Sequence, residues 1–170
     1  MQTASIGGCD LETRPRLPLR IERADTKHAE HALELIEEYY QAINVVARDD
    51  RGTLLRYLSD PQSAIWVAYY GSSSIGCILF RPLPQFESSG EIKRLYVRPR
   101  YRGQGVARLL LHTLEEFALQ QKIVWLYLDT KDDLSNAIAF YRRHEYEPCP
   151  RYNDNPQATI FMRKRLSPAE

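Results

Sequence analysis

The sequence predicts a mixed α/β fold built as one domain, and three observations carry that prediction. At 170 residues the chain can bury one sizeable core and is too short for two ordinary ones. Short apolar runs of strand character alternate with segments whose apolar residues recur at helical spacing. The stretch "EIKRLYVRPRYRGQGVARLLLHTLEEF", residues 91–117, then passes from strand to amphipathic helix through a cationic glycine turn. With 44% hydrophobic and 26% charged residues, the composition is that of a globular protein rather than a disordered or fibrous one.

The elements follow in order. "LRIER", Leu19 to Arg23, alternates as a short first strand, and Asp25 or Thr26 can cap a helix starting near Lys27. That helix places Ala32, Leu35, Ile36, Tyr39 and Ile43 on one face. "DDRGTLLRYLSDP" reads as a second short helix ended at Asp60-Pro61, because a residue before proline is pushed out of the helical region. "AIWVAYY", "GSSS" and "IGCILFRPL" form a hairpin, and "PLPQFESSG" a loop. In the next strand, Glu91 to Val97, Ile92 and Leu95 are three apart, so a strict period of two would set them on opposite faces; a β-bulge reconciles them. Ala107, Leu110, Leu111, Leu114, Phe117 and Ala118 make the stripe of the following helix, opposite Arg108, His112, Glu115 and Glu116. "KIVWLYLDT" reads as a strand covered on both faces. A last helix starts at Ser135 or Asn136, and "ATIFMRKRL" is the final strand. The domain is expected over residues 19–166, with a loose tail at 1–18 and another at 167–170.

A net charge of +1 gives no general attraction to nucleic acid or to an anionic membrane, so neither is an expected partner. Cys9, Cys77 and Cys149 are an odd number at wide spacing with no CxxC pair, which argues against a disulfide framework and a cysteine metal site. No apolar run approaches the roughly 20 residues of a membrane span, and residues 1–18 hold no apolar core of a secretory signal. A reducing cytoplasm is the expected compartment. His28 and His31 lack a nearby carboxylate or cysteine and are expected to be solvated, so no metal is expected.

The glycine turn carries the chemistry. Gly103 and Gly105 let backbone approach a ligand, and the helix behind them aims its unsatisfied N–H groups and positive dipole end at the turn. Arg98, Arg100, Arg102 and Arg108 add charge suited to a ligand with several phosphates. A dinucleotide-binding turn is the competing reading, with Asp129 as the ribose-binding acid, but its third glycine would fall at Arg108.

These residues resemble the GNAT superfamily of acetyl-CoA-dependent N-acetyltransferases. Arg100, Gly103 and Gly105, continued by Ala107, meet its glycine signature; "EIKRLYV" is similar to its central strand and "SNAIAFYRRHEYEP" to its late helix, over roughly Ile21 to Leu166. The resemblance implies a mixed, mostly antiparallel sheet with splayed central strands, flanked by helices. It also implies that the backbone of Leu95, Tyr96 and Val97 binds the pantetheine arm, that Arg102, Gly103, Gln104, Gly105, Val106 and Ala107 cradle the pyrophosphate of acetyl-CoA, and that Asn136 touches the pantetheine. Where the family usually has a glycine after the late helix, this chain has Glu145, so that helix must end without it.

Acetyl transfer needs a neutral amine, and an alkyl ammonium with a pKa near ~10 is mostly protonated at pH 7. Glu91 is the candidate base, directly or through water, if partial burial raises its pKa. Tyr141 resembles the family's general acid, protonating the departing thiolate. On the acceptor side, Glu37, Glu38, Tyr39 and Tyr40 are candidates to attract a cationic amine, and Tyr152 and Asn153 belong to a loop that closes that side; Cys149 is read as a free thiol. The expected activity is direct acetyl transfer in a ternary complex to the primary amine of a small or amino-acid-like molecule, by a monomer or homodimer. A non-catalytic CoA-binding module and an enzyme using a longer acyl-CoA are the alternatives.

Overall fold

Strand-forming residues collect in seven runs among the described residues: β1 (Leu19–Arg23), β2 (Ala64–Tyr70), β3 (Ser73–Pro82), β4 (Ser89–Val97), β5 (Trp125–Thr130), β6 (Glu147–Pro148) and β7 (Ile160–Arg165). Four helices join them: α1 (Ala29–Ala42), α2 (Arg51–Ser59), α3 (Val106–Gln120) and α4 (Ser135–Arg143). The structure is a computed structural model and describes residues 19–27 and 29–167. The expected N-terminal tail with Cys9, His28 and the last three residues lie outside the described residues.

The strands form one sheet in the order β1-β2-β3-β4-β5-β7-β6. Every neighbouring pair is antiparallel except β4 and β5. The mixed, mostly antiparallel α/β architecture is therefore present, and the described residues form no doubly wound parallel sheet of the kind the dinucleotide reading requires.

β2 shows why both faces are covered. Ala64, Trp66 and Ala68 pack in one cluster with Leu110, Leu111 and Leu114 of α3, while Ile65, Val67 and Tyr69 pack in a second with Leu35, Ile36 and Tyr40 of α1. A strand between two helical layers can be apolar at consecutive positions, which is how β2 reads. On α1 the buried aromatic is Tyr40, with Tyr39 only partly covered; Ile43, expected on the same face, lies just past the end of the helix and is partly covered. The helix starts at Ala29, two residues later than expected, and Asp25 Oδ1 instead accepts from Lys27 N–H (2.8 Å) in the preceding turn. Asp50 caps α2, accepting from Thr53 N–H at 2.6 Å.

Two features open the sheet at its centre. Cys77 faces Tyr96 and Leu79 faces Lys93, so Ile78 of β3 stands against both Arg94 and Leu95 of β4. This is the expected bulge, and Arg94 occupies it at φ 57°, a left-handed conformation rare for a residue with a Cβ. Beside it, β4 and β5 pair only over Ser89–Glu91 and Trp125–Tyr127, although both strands run on to Val97 and Thr130. From Ile92 onward the β5-facing edge of β4 has no strand partner.

Glu145 takes up the missing glycine's conformation. It sits at φ 68°, Tyr146 N–H reaches Tyr141 O (3.0 Å) and Glu145 N–H reaches Arg142 O (3.1 Å), so α4 closes with the usual helix-ending bonds despite a side chain in the left-handed position. Tyr146 is thereby buried against Tyr141, ring centroids 5.5 Å apart, with its hydroxyl on Glu115 at 2.9 Å.

Candidate active site

The glycine turn is local chemistry. After β4, Arg98 N–H bonds Ile75 O, a short helical turn covers Pro99–Tyr101, and Gly103 and Gly105 follow at φ 74° and 82°. A Cβ at either glycine would meet nothing within 4 Å, so the backbone angle, not crowding, calls for glycine. The first bond of α3 runs from Leu109 N–H to Gly105 O at 3.1 Å, and none of the amides from Gly103 to Arg108 donates to a backbone carbonyl. Arg102, Gly103 and Gln104 are exposed. A row of free donors at a helix N-terminus, flanked by arginines and open to solvent, fits a pyrophosphate. Leu95, Tyr96 and Val97 lie on the unpaired edge leading to it, and exposed Asn136 stands in the first turn of α4.

Behind the opened strands lies a cavity of about 230 Å³. Its wall joins Tyr39 of α1 and Ile43 just after it, Tyr57 of α2, Leu79 and Arg81 of β3, Lys93 and Arg94 of β4, Asp129 and Thr130 of β5, and Asn155 to Ala158 of the loop before β7. Gln157 holds that loop across the cavity, donating to Asn44 O (3.2 Å) and accepting from Val46 N–H (2.8 Å).

Glu91 is not the partly buried carboxylate expected of a base. It is 0% exposed: Arg81 lies at 2.6 Å and Lys93 at 3.2 Å, Tyr152 donates its hydroxyl at 2.8 Å and Asn153 its amide at 3.2 Å. With two cations and two neutral donors on it, this carboxylate organises its neighbours. Tyr152 and Asn153 accordingly anchor the closing loop on Glu91, and Asn155 to Ala158 form the wall in their place. Burial, then the Glu91 charge, pushes the Tyr152 hydroxyl far up, so it stays a donor.

Of the two carboxylates that line the cavity, Asp49 is paired with Arg94 at 2.7 Å, and the other is Asp129 at the end of β5. Burial pushes its pKa up, but Lys93 (3.1 Å), Asn153 (2.6 Å) and Asn155 (3.2 Å) outweigh burial and hold it below the ordinary carboxylate range. Tyr141 is buried, and no hydrogen bond to its hydroxyl is made by a described residue; burial pushes its pKa well up, with Tyr39 and Asp129 adding to the shift. Tyr39 lines the cavity. Glu38 does not, because it is bound side-on by Arg98 (2.7 and 3.1 Å), and Glu37 is paired with exposed Arg48. His31 is not simply solvated: its ring bonds the Tyr69 hydroxyl at 2.9 Å. Cys149 is a free thiol, raised by burial.

Sequence reasoning missed Arg81, Lys93, Arg94, Asp49 and Lys131, and gave Asp129 only a ribose-binding role. The available signal was "EIKRLYV" itself, since three charged residues at the heart of a central strand have to be paired or used.

Residues 29–146 match the Acetyltransferase (GNAT) family. The chain is 28% identical over 142 residues to an uncharacterized N-acetyltransferase of Schizosaccharomyces pombe, covering 78% of this chain and 85% of that protein. It is 32% identical over 88 residues to N-acetyltransferase 8B of Rattus norvegicus, covering 50% of this chain and 40% of that protein. In fold it is similar to the PaiA N-acetyltransferase of Thermoplasma acidophilum, solved in complex with coenzyme A: TM-score 0.72 at 17% identity, covering 88% of this chain and 99% of that one. No described helix is long and apolar enough to cross a membrane.

Proposed function

The chain belongs to the GNAT acetyltransferase family, and from that premise we propose that it transfers the acetyl group of acetyl-CoA to the primary amine of a small acceptor bound in the cavity between β4, β5 and the Asn155 to Ala158 loop. One observation carries the reading. The unpaired edge of β4 runs from the free amides of the glycine turn at one end to the charged cavity at the other, so donor and acceptor sites meet at one opening in the sheet.

Acetyl-CoA supplies the activated acyl group; the chain's residues orient it and manage protons. The amides from Gly103 to Arg108 hold the pyrophosphate, with Arg102 beside them, and the edge at Leu95, Tyr96 and Val97 takes the pantetheine as an added strand would be taken. Donors on that edge polarise the thioester carbonyl. Ionised Asp129 receives the acceptor's ammonium and lowers the cost of bringing it into the cavity. Glu91 holds Lys93, Tyr152 and Asn153 in place around Asp129, and the amine's proton leaves by water through the cavity mouth. Tyr141, kept neutral by burial, is the donor aimed at the departing sulfur.

Turnover of a panel of primary amines with acetyl-CoA tests the activity, and Tyr141→Phe tests the assignment. The variant is expected to lose about 10²-fold or more in kcat, the usual worth of a general acid, while acetyl-CoA raises its melting temperature as much as it does for the wild type. Equal turnover removes Tyr141 from the mechanism. No melting shift with acetyl-CoA or free CoA overturns the cofactor assignment.

A further inference from the structure

The cations around the cavity are unequally matched. Arg81 and Lys93 are taken up by Glu91 and Asp129, every contact between 2.6 and 3.3 Å. Arg94 has one carboxylate, Asp49, at 2.7 Å from Nη2, and its Nε is buried with no hydrogen-bond partner, the one such side-chain atom among the described residues. Lys131, just after β5, donates to Ile43 O at 3.0 Å, and its nearest carboxylate, Asp133, stands 3.5 Å away with its side chain 66% exposed. In the wall itself four cations, Arg81, Lys93, Arg94 and Lys131, meet two carboxylates, Asp49 and Asp129; buried Glu91 lies behind it on Arg81 and Lys93, and Asp133, the exposed partner of Lys131, is not part of the wall.

Such a wall suits a zwitterion better than a simple cation. An amine without an anionic group would gain from Asp129 and be opposed by the surplus cation. A molecule with a carboxylate beside its amine can place the ammonium on Asp129 and the carboxylate on Lys131. Lys131 and Asp129 are two positions apart at the end of β5, and both line the cavity. The wall's remaining polar groups, Tyr39, Tyr57, Thr130, Asn155 and Gln157, are neutral.

We propose that the acceptor carries a carboxylate close to its reacting amine, and that Lys131 receives that carboxylate and sets the preference. This rests on the acetyltransferase reading above and narrows its acceptor to the class of amino acids and similar amino-carboxylates. A bound ammonium and a bound carboxylate fix two points of the acceptor, which orients the nitrogen toward the slot as a single contact could not.

The test uses amino acids, each paired with its own carboxamide, as acceptors for the 170-residue chain with acetyl-CoA. The free acids are expected to show kcat/KM at least tenfold above their amides, and Lys131→Met is expected to bring that ratio close to one. The melting shift of the variant with CoA serves as its folding control, because Lys131 lies away from the glycine turn. Amides equal to or better than acids, or an unchanged ratio in Lys131→Met, overturn the proposal while leaving the acetyltransferase reading intact. Acetylation of neither set, together with no further stabilisation of the CoA-bound protein by any free acid, overturns it as well. Loss of the CoA shift itself strikes the cofactor reading and not the acceptor.

Discussion

The glycine turn and the acceptor cavity sit at two ends of the same unpaired strand edge, yet they are built in opposite ways. The turn is made of backbone: its donors are consecutive amides from Gly103 to Arg108, and its shape depends on two positive φ angles. The cavity is made of side chains drawn from α1, α2, β3, β4, β5 and a loop more than a hundred residues beyond α1. A backbone site tolerates many side chains, and the phosphate proposed for the turn is a group that such a site can hold. A side-chain site can be rewritten residue by residue, and the acceptor proposed here rests on Lys131 and Asp129 beside the buried group around Glu91.

The contrast yields measurable differences. Glu91→Ala, which leaves Arg81 and Lys93 facing an empty buried site, is expected to cost about 3–5 kcal/mol, a fall in melting temperature on the order of 10 °C. A loss under about 1 kcal/mol would mean that the buried group is not the structural centre of the acceptor side. Gly105→Val, at φ 82°, forces a β-branched residue into the left-handed region at roughly 1–2 kcal/mol. It is expected to weaken CoA binding at least tenfold in titration; full CoA affinity would show that the amides are not the anchor.

A third measurement runs with the opposite sign. Glu145→Gly places glycine where the chain already adopts φ 68°, and thermal unfolding is expected to show a gain of about 0.5–1 kcal/mol. A loss would show that the Glu145 side chain contributes more than its strain costs.

The smallest expected effect lies in pH dependence. The folded carboxyl of Asp129 is held below its ordinary value, so its contribution to stability is fully present above about pH 4, the ordinary aspartate range, and is lost as pH falls through the lower folded value. Asp129→Asn removes that contribution. The stability gap between wild type and variant is expected to be widest near neutral pH and to close on acidification below pH 4; a gap independent of pH would break the link between Asp129 and its cationic neighbour.

Much of this molecule is legible along the chain because its signals are short-range. A stripe at positions 107, 110, 111, 114 and 118 can serve only a helix with one covered face, and glycines at 103 and 105 ahead of it leave donors free whatever the rest of the chain does. The mismatch of Ile92 and Leu95 places the bulge within one strand for the same reason. Glu145 marks a limit of such reasoning: the chain reaches a left-handed angle without glycine because the bonds from Glu145 and Tyr146 back into α4, and the burial of Tyr146, offset the strain.

Tertiary structure alone decided which charges would be spent and which left over. Glu91 reads as a strand-end carboxylate until Arg81, ten positions earlier, and Tyr152, sixty-one later, close on it. Glu38 reads as an acceptor-side acid until Arg98 takes it, and Asp129 gains its place only when β5 parts from β4. Local periodicity follows from the steric preferences of a few neighbouring residues. The state of a charge depends on what lies within a few ångströms in space, and only the folded chain brings those groups together.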